Sequence, residues 1–291
     1  MKNIVTFLLS IIIALPLPAV GREDAEIAGT VMESLMPYRD EPTADLMVRA
    51  ALQLLGTPYV AGTLEEGDRE ECRVYLTKTD CILFVETCMN IALTVKQYGE
   101  KASYADLCDM VRLSRYRDGR VESYADRIHY TTEWIRQGEA RGIVRDATMD
   151  LGGVEYDHPI FYMSKNYERY GHLKNAGTDS VQAKSLARIR EVEKTLNGQP
   201  FTYIPQDSIG ACADRIRTGD IIGFMSATEG LDIAHVAMAY VQEDPSYPGG
   251  RKVGFIHASY GAKKVIVDPL SIEEYVKSSD SITGIKVVNV L

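Results

Sequence analysis

The spacing of apolar residues changes once along this chain, near residue 219, and that change limits the folds open to it. Before that point, apolar side chains recur at the three- and four-residue steps of helices, over 43–55, 81–98, 104–115, 124–138 and 180–197. After it come short β-branched and apolar runs, over 221–225, 233–241, 253–258, 264–267 and 285–291. Helices first and antiparallel-type strands last predict an α+β fold.

The N-terminus has the pattern of a secretory signal. Lys2 precedes an apolar core from Ile4 to Leu17, and the small residue Gly21 allows cleavage nearby. We therefore expect residues 1–21 to be a signal peptide and residues 22–291 to form one exported domain, in the periplasm or outside the cell. The apolar core is short for a membrane span, so no span is expected after cleavage.

Charge and cysteine content narrow the possible partners. The formal net charge is −9, and loss of residues 1–21, which hold one lysine and no acid, makes it −10. Such an acidic chain is a poor ligand for nucleic acid or an anionic membrane surface. The cysteine count of five is odd, so at least one thiol stays unpaired even in an oxidising compartment. Four of them are interpreted as core or disulfide residues with open pairing: Cys72, Cys88, Cys108 and Cys212.

The fifth cysteine, Cys81, opens the strongest helical pattern of the chain. Asp80 can cap this helix and Gly99 can end it. Unpaired N–H groups and the macrodipole at a helix start favour negative charge, so they favour a thiolate at this position. Cys81 is therefore a candidate nucleophile. The alternative is a small buried side chain with no chemical role.

Histidines in two successive predicted strands supply the groups that such a cysteine needs. A nucleophilic thiol requires a base within hydrogen-bond reach and a third polar group that orients the base, and His235 and His257 can fill these roles. Taken singly, each is equally an ordinary core or surface histidine. Ala237 and Ala239 share the face of His235 by the period of two, and we expect this face to admit the cysteine helix.

Five short motifs in this order resemble the NlpC-type cell-wall cysteine peptidases, which are relatives of papain. The motifs are 56–59 (Gly-Thr-Pro-Tyr), 80–85 (Asp-Cys-Ile-Leu-Phe-Val), 219–224 (Gly-Asp-Ile-Ile-Gly-Phe), 235–240 (His-Val-Ala-Met-Ala-Tyr) and 256–259 (Ile-His-Ala-Ser). Further motifs are similar to an enlarged, N-acetylmuramoyl-L-alanine amidase-like branch with a long insertion between cysteine and histidine. They are 64–65 (Leu-Glu), 127–130 (Arg-Ile-His-Tyr), 134–135 (Trp-Ile), 203–205 (Tyr-Ile-Pro) and 230–232 (Gly-Leu-Asp).

The resemblance implies a papain-like core, with the cysteine helix packed on an antiparallel sheet and a largely helical insertion over about 100–215. It also implies roles. Cys81 would be the nucleophile, His235 the general base and acid, and His257 the residue that orients His235. A thiolate–imidazolium pair is expected between Cys81 and His235.

Substrate contacts follow from the same resemblance. Tyr59 would donate to the oxyanion beside the Cys81 N–H, and Asp80 would belong to a clamp for a free peptide amine. Arg127 and His129 match the insertion motif and would face carboxylates of the substrate. The alternative for these two residues is a helix-surface salt bridge.

The implied function is hydrolysis of the amide between N-acetylmuramic acid and L-alanine in peptidoglycan fragments. NlpC-type enzymes carry a small hydroxyl residue after the cysteine, but this chain has Ile82, which weakens the amine clamp and favours the lactyl amide. One alternative is a γ-D-glutamyl-diamino acid endopeptidase, and another is a non-catalytic peptidoglycan-binding module. No His-Glu-x-x-His occurs, so no metal or other cofactor is expected, and a monomer is expected.

Overall fold

The computed structural model describes residues 19–291, so most of the predicted signal peptide lies outside the described residues. Eight α-helices and eight strands are found in this part of the chain, besides short 3-10 turns. The helices are α1 (Ala19–Leu35), α2 (Thr43–Gln53), α3 (Cys81–Tyr98), α4 (Tyr104–Arg115), α5 (Thr131–Ala140), α6 (Tyr162–Lys165), α7 (Ser180–Asn197) and α8 (Ile272–Lys277). The strands are β1 (Val144–Asp146), β2 (Val154–Glu155), β3 (Thr202–Pro205), β4 (Ile221–Ser226), β5 (Ile233–Glu243), β6 (Arg251–Ser259), β7 (Lys264–Val267) and β8 (Ile282–Val290).

The strands form one antiparallel sheet in the order β2-β3-β8-β4-β5-β6-β7, with β1 paired to β8. The predicted α+β fold is confirmed. The insertion is less helical than predicted, because β1, β2 and β3 lie within it. These strands have only two to four residues, too few to leave a period of two in the sequence.

The predicted helix over 124–138 was wrong in its first half. Tyr124–Asp126 is a single 3-10 turn, and the carboxylate of Asp126 accepts from the N–H of Ser123 at 2.7 Å. Arg127 then adopts extended dihedrals, and the N–H of Ile128 bonds the Arg115 carbonyl at 2.8 Å. Local side-chain bonds of this kind compete with helix formation, so α5 starts only at Thr131.

The two faces of the sheet carry different cores. Val236 and Met238 of β5 pack with the apolar sides of α1 to α4, whereas Ala237 and Ala239 pack with α8. The cysteine helix α3 thus covers the face opposite the alanines, and the expectation that the alanines admit it was wrong. The larger side chains of Val236 and Met238 pack against α3 instead, because the helices bury their own apolar surface against these two residues.

Helix α1 is joined to the segment before Cys81 through one buried carboxylate. Oδ1 of Asp24 accepts from the N–H groups of Leu76 and Thr77, at 2.7 and 2.8 Å, and from the Thr77 hydroxyl at 2.9 Å.

Within residues 19–291, none of the helices is both long and apolar enough to cross a membrane.

Asp24→Ala should lower the free energy of unfolding by roughly 1–3 kcal/mol, because it leaves buried N–H donors without an acceptor. Asp24→Asn keeps an oxygen at this position and should cost less. The exposed neighbour Glu23→Ala is the control and should be close to neutral. Urea unfolding measures all three variants, and equal stability of Asp24→Ala and the parent would contradict the assigned role.

Candidate active site

Cys81 is the first residue of α3, as the sequence predicted. The Asp80 carboxylate caps the helix by accepting from the Leu83 N–H at 3.0 Å. The strand-like pairing of the tyrosine loop brings Tyr59 to the same place, since the Thr79 N–H donates to Pro58 O at 2.9 Å and the Val60 N–H donates to Thr79 O at 2.8 Å. Thr79 and Asp80, the two residues before the cysteine, are therefore held by the tyrosine loop and by the first turn of α3, respectively.

The half-buried Cys81 lies against the start of β5. Its sulfur faces the backbone N–H of Val236, the residue after His235. Burial raises the pKa of Cys81 to about 12, and the negative charge of Asp80 adds to this shift. Hydrogen bonds from the N–H groups of Val236, Ile82 and Cys81 itself act in the opposite direction but do not offset it.

Two histidines and one aspartate form a hydrogen-bonded chain that runs from β5 through β6 to the residue after β7. His235 Nε2 lies 2.7 Å from His257 Nδ1, and His257 Nε2 lies 3.0 Å from Asp268 Oδ2. Burial opposes the charge of Asp268, but hydrogen bonds from His257 and from the Leu270 N–H outweigh it and lower the pKa of the carboxyl. Asp268 is therefore an acceptor at neutral pH.

This acceptor fixes the protons of both rings. His257 must carry its proton on Nε2 to donate to Asp268, so its Nδ1 accepts from the Nε2–H of His235. Nδ1 of His235 is then unprotonated, which is the state required of a base.

Apolar rings surround the His235 imidazole. Phe224 stacks on it at 5.6 Å between centroids, and Tyr275 packs near both histidines. Burial, helped by the neighbouring His257, lowers the pKa of His235 to about 3. Burial of both groups therefore opposes the expected thiolate–imidazolium pair in the free protein.

Asp268 was not among the site residues predicted from the sequence. This residue follows directly after β7, where its N–H bonds the Phe255 carbonyl at 2.9 Å, and the pairing of β6 with β7 carries it to His257. The only available signal was an acidic residue at the end of a predicted strand, which is common at strand ends.

The remaining predicted site residues lie around Cys81. Burial and the nearby Cys81 and Asp80 raise the pKa of Tyr59 to about 12, so its phenol stays a donor. Arg127 is buried and donates to Leu64 O at 3.1 Å and to Glu65 Oε1 at 2.5 Å. It thus ties the insertion to the tyrosine loop.

His129 is tied to the insertion itself. Its Nε2 lies 2.9 Å from Tyr124 O, and burial together with Arg127 holds its pKa well below the usual range. Arg127 and His129 both line a small cavity of about 90 Å³ that Ile82 and Trp134 also line. The position that differs from the NlpC-type pattern therefore faces the insertion.

The other four cysteines have free thiols, as does Cys81, so the structure contains no disulfide among residues 19–291. Cys88 and Cys212 are buried, and Cys72 and Cys108 are half-buried. Among the described residues, no three His, Cys, Asp or Glu side chains are arranged to hold a metal ion.

A model of AmiA-like N-acetylmuramoyl-L-alanine amidase-like proteins matches residues 49–285, which is most of the chain. The chain belongs to this N-acetylmuramoyl-L-alanine amidase-like family. A crystal structure of an N-acetylmuramoyl-L-alanine amidase from Bacteroides uniformis has a TM-score of 0.74 at 30% identity, covering 85% of this chain and 98% of the other. No protein of curated function matches the sequence.

Two further solved structures have the same fold as this amidase-like protein. One comes from Bacteroides fragilis and is provisionally named a xylanase; it is 32% identical, with a TM-score of 0.72 over 82% of this chain and 98% of the other. The other is a Legionella pneumophila protein of the DUF1460 family, at 21% identity and a TM-score of 0.68 over 94% of this chain and 96% of the other. At that identity, the likeness concerns the fold alone.

The protonation state of Cys81 can be measured by alkylation with iodoacetamide, followed by peptide mass mapping. Because its pKa is raised, the rate at Cys81 should climb continuously between about pH 6 and pH 10, since only the thiolate reacts. Asp80→Asn keeps a capping side chain but removes the charge, so it should move the profile to lower pH. A fast rate that is independent of pH from about 5 to 8 would instead reveal the ion pair.

Proposed function

We propose that this protein is a cysteine amidase that hydrolyses the bond between N-acetylmuramic acid and L-alanine in peptidoglycan fragments. The observation that carries the proposal is the hydrogen-bonded chain of His235, His257 and Asp268, beside a helix-opening cysteine whose sulfur faces the Val236 N–H. Membership of the amidase-like family supports the substrate class.

The proposed reaction begins with a neutral pair. As the Cys81 sulfur attacks the carbonyl carbon of the amide, its proton passes to Nδ1 of His235. The tetrahedral oxyanion is stabilised by the Cys81 N–H and the Tyr59 hydroxyl. His235 then protonates the departing amine of the stem peptide, which leaves the lactyl group as a thioester. Water, deprotonated by His235, hydrolyses the thioester and restores the thiol.

The resting pKa values make this first proton transfer costly. A thiol with a raised pKa and an imidazole with a lowered pKa exchange a proton only when the developing charges are stabilised. Asp268 supplies part of this stabilisation through His257, because its negative charge favours imidazolium on His235. Donors aimed at the oxyanion supply the rest.

Ile82 supports the lactyl amide over the alternative endopeptidase substrate. A clamp for the free amine of a stem peptide would use Asp80 and a hydroxyl residue directly after the cysteine, but Asp80 caps α3 and the residue after the cysteine is the apolar Ile82. The γ-D-glutamyl-diamino acid endopeptidase keeps the same chemistry at another bond and remains the second candidate.

Two other classes fit the site less well. Glycoside hydrolysis, suggested by the provisional name of the Bacteroides fragilis relative, uses a pair of carboxylates across the scissile bond. Here Asp80 caps a helix and Asp268 binds His257. A non-catalytic binding module would have no use for the ordered proton positions of two histidines.

We also propose that the protein is exported, as a monomer, to the periplasm or the medium. Cleavage near Gly21 would fall within the first turn of α1, and it would keep Asp24 and its bonds to Leu76 and Thr77. The mature N-terminus would then still be joined to the segment before Cys81.

Digestion of defined muropeptides, followed by mass spectrometry, tests the proposed bond. We expect free disaccharide together with intact stem peptide, which only the amidase produces. The endopeptidase would instead leave a sugar-linked dipeptide and release the remainder. Cys81→Ala should lose all turnover because no nucleophile remains, and equal activity of this variant and the parent would refute cysteine catalysis.

Asp268→Asn should lower kcat on the same muropeptide by a factor on the order of 10² or more, because an amide can no longer hold the protons of His257 and His235 in place. KM should change little, since Asp268 is a positioning residue that does not touch the substrate. The exposed Asp280→Asn is the matched control. A loss of kcat/KM in Asp268→Asn that comes from a raised KM, with kcat unchanged, would contradict the positioning role of Asp268.

A further inference from the structure

A second cavity opens at the end of the sheet where β4 leads into β5, the strand that carries His235. Its volume is about 370 Å³, within the range of small-molecule sites, and it is bounded by Tyr156, Phe161, residues 226–231 and Thr283. Strand β4 ends at Ser226 and β5 begins seven residues later, so the loop that walls the cavity leads directly to His235. Two strand spacings separate Thr283 on β8 from β5, a distance of roughly 10 Å.

The aromatic wall of this cavity is preformed. Tyr156 packs edge-on against His158, Phe201 and Tyr203, with ring centroids 4.7, 5.4 and 5.0 Å apart. The backbone N–H of Phe161 donates to the Gly230 carbonyl at 2.9 Å. Gly230 has a φ of +79°, and a Cβ there would come within 2.8 Å of the Phe161 ring, so only glycine fits.

The polar groups of the cavity suit an uncharged ligand. The carboxylate of Glu229 is already paired with the Lys165 ammonium at 2.7 Å. Oγ1 of Thr283 is shielded from solvent and has no hydrogen-bond partner among the described residues. A shielded hydroxyl without a partner calls for an explanation, and a bound ligand would provide one. The exposed residue Thr228 stands at the rim.

We propose that this cavity binds the pyranose ring of the N-acetylated amino sugar whose lactyl amide is cleaved. A pyranose has an apolar face of C–H groups, which matches an aromatic wall, and a rim of hydroxyl and amide groups, which can bond Thr283. The loop that walls the cavity ends at Leu231, four residues before His235 in the chain. This inference rests on the proposed function, and it assigns the sugar to one side of the nucleophile and the stem peptide to the other.

Direct binding tests the cavity without relying on catalysis. Saturation-transfer NMR with the peptide-free disaccharide of N-acetylglucosamine and N-acetylmuramic acid should give contacts from pyranose C–H protons. Thr228→Trp, which puts an indole into the cavity, should weaken binding at least tenfold. Thr283→Val, which removes only the hydroxyl, should weaken it roughly fivefold. Met149→Trp adds the same indole at an exposed position outside the cavity, and it should bind as the parent does.

Turnover supplies the second readout. The parent should hydrolyse a sugar-bearing muropeptide with a higher kcat/KM than a D-lactyl peptide that lacks the pyranose, and Thr228→Trp should reduce this ratio at least tenfold. An undetectable disaccharide complex, or equal binding by Thr228→Trp and Met149→Trp, overturns the sugar site. Disaccharide binding that Thr228→Trp abolishes, in a protein that cleaves no muropeptide, would refute the proposed function and leave the sugar site standing.

Discussion

The first turn of α3 rests on the start of β5, and the other parts of the site are arranged around that contact. Apolar residues of α3 pack with Val236 and Met238, and this burial holds the Cys81 sulfur at the Val236 N–H. Two further connections keep the approach to Cys81 in place: the pairing of Pro58 with Thr79 and the bonds of Asp24 to residues 76–77. A shift of this helix would separate the Cys81 thiol from the Val236 N–H.

The same burial sets the electrostatics of the site. Removing a thiol and an imidazole from water disfavours their charged forms, so burial raises the pKa of Cys81 and lowers that of His235 although the helix start favours a thiolate. Asp268 is charged and acts through His257, which lets it order the protons without lying beside the sulfur. In the proposed reaction, the thiol therefore loses its proton only as the oxyanion donors stabilise the charge that develops on the substrate.

The insertion adds the walls that surround this centre. Arg127 joins it to the tyrosine loop through Glu65, and Asp232 joins it to the sheet by accepting from the Thr132 N–H at 2.8 Å. Residues of the insertion line both the small cavity beside Ile82 and the aromatic cavity beside Tyr156. The proposed substrate contacts thus involve the insertion, whereas the proposed chemistry belongs to the core.

Local patterns were enough to predict the α+β class, the start of α3 at Cys81 with its Asp80 cap, and the strands that carry His235 and His257. Helix caps and strand periods depend on a few neighbouring residues, and so they can be read from a sequence. Tertiary structure alone decided which face of β5 receives α3, that Asp268 meets His257, and that burial raises the pKa of the thiol. These features depend on strand register and on how much water is excluded, and both arise only when distant segments pack together.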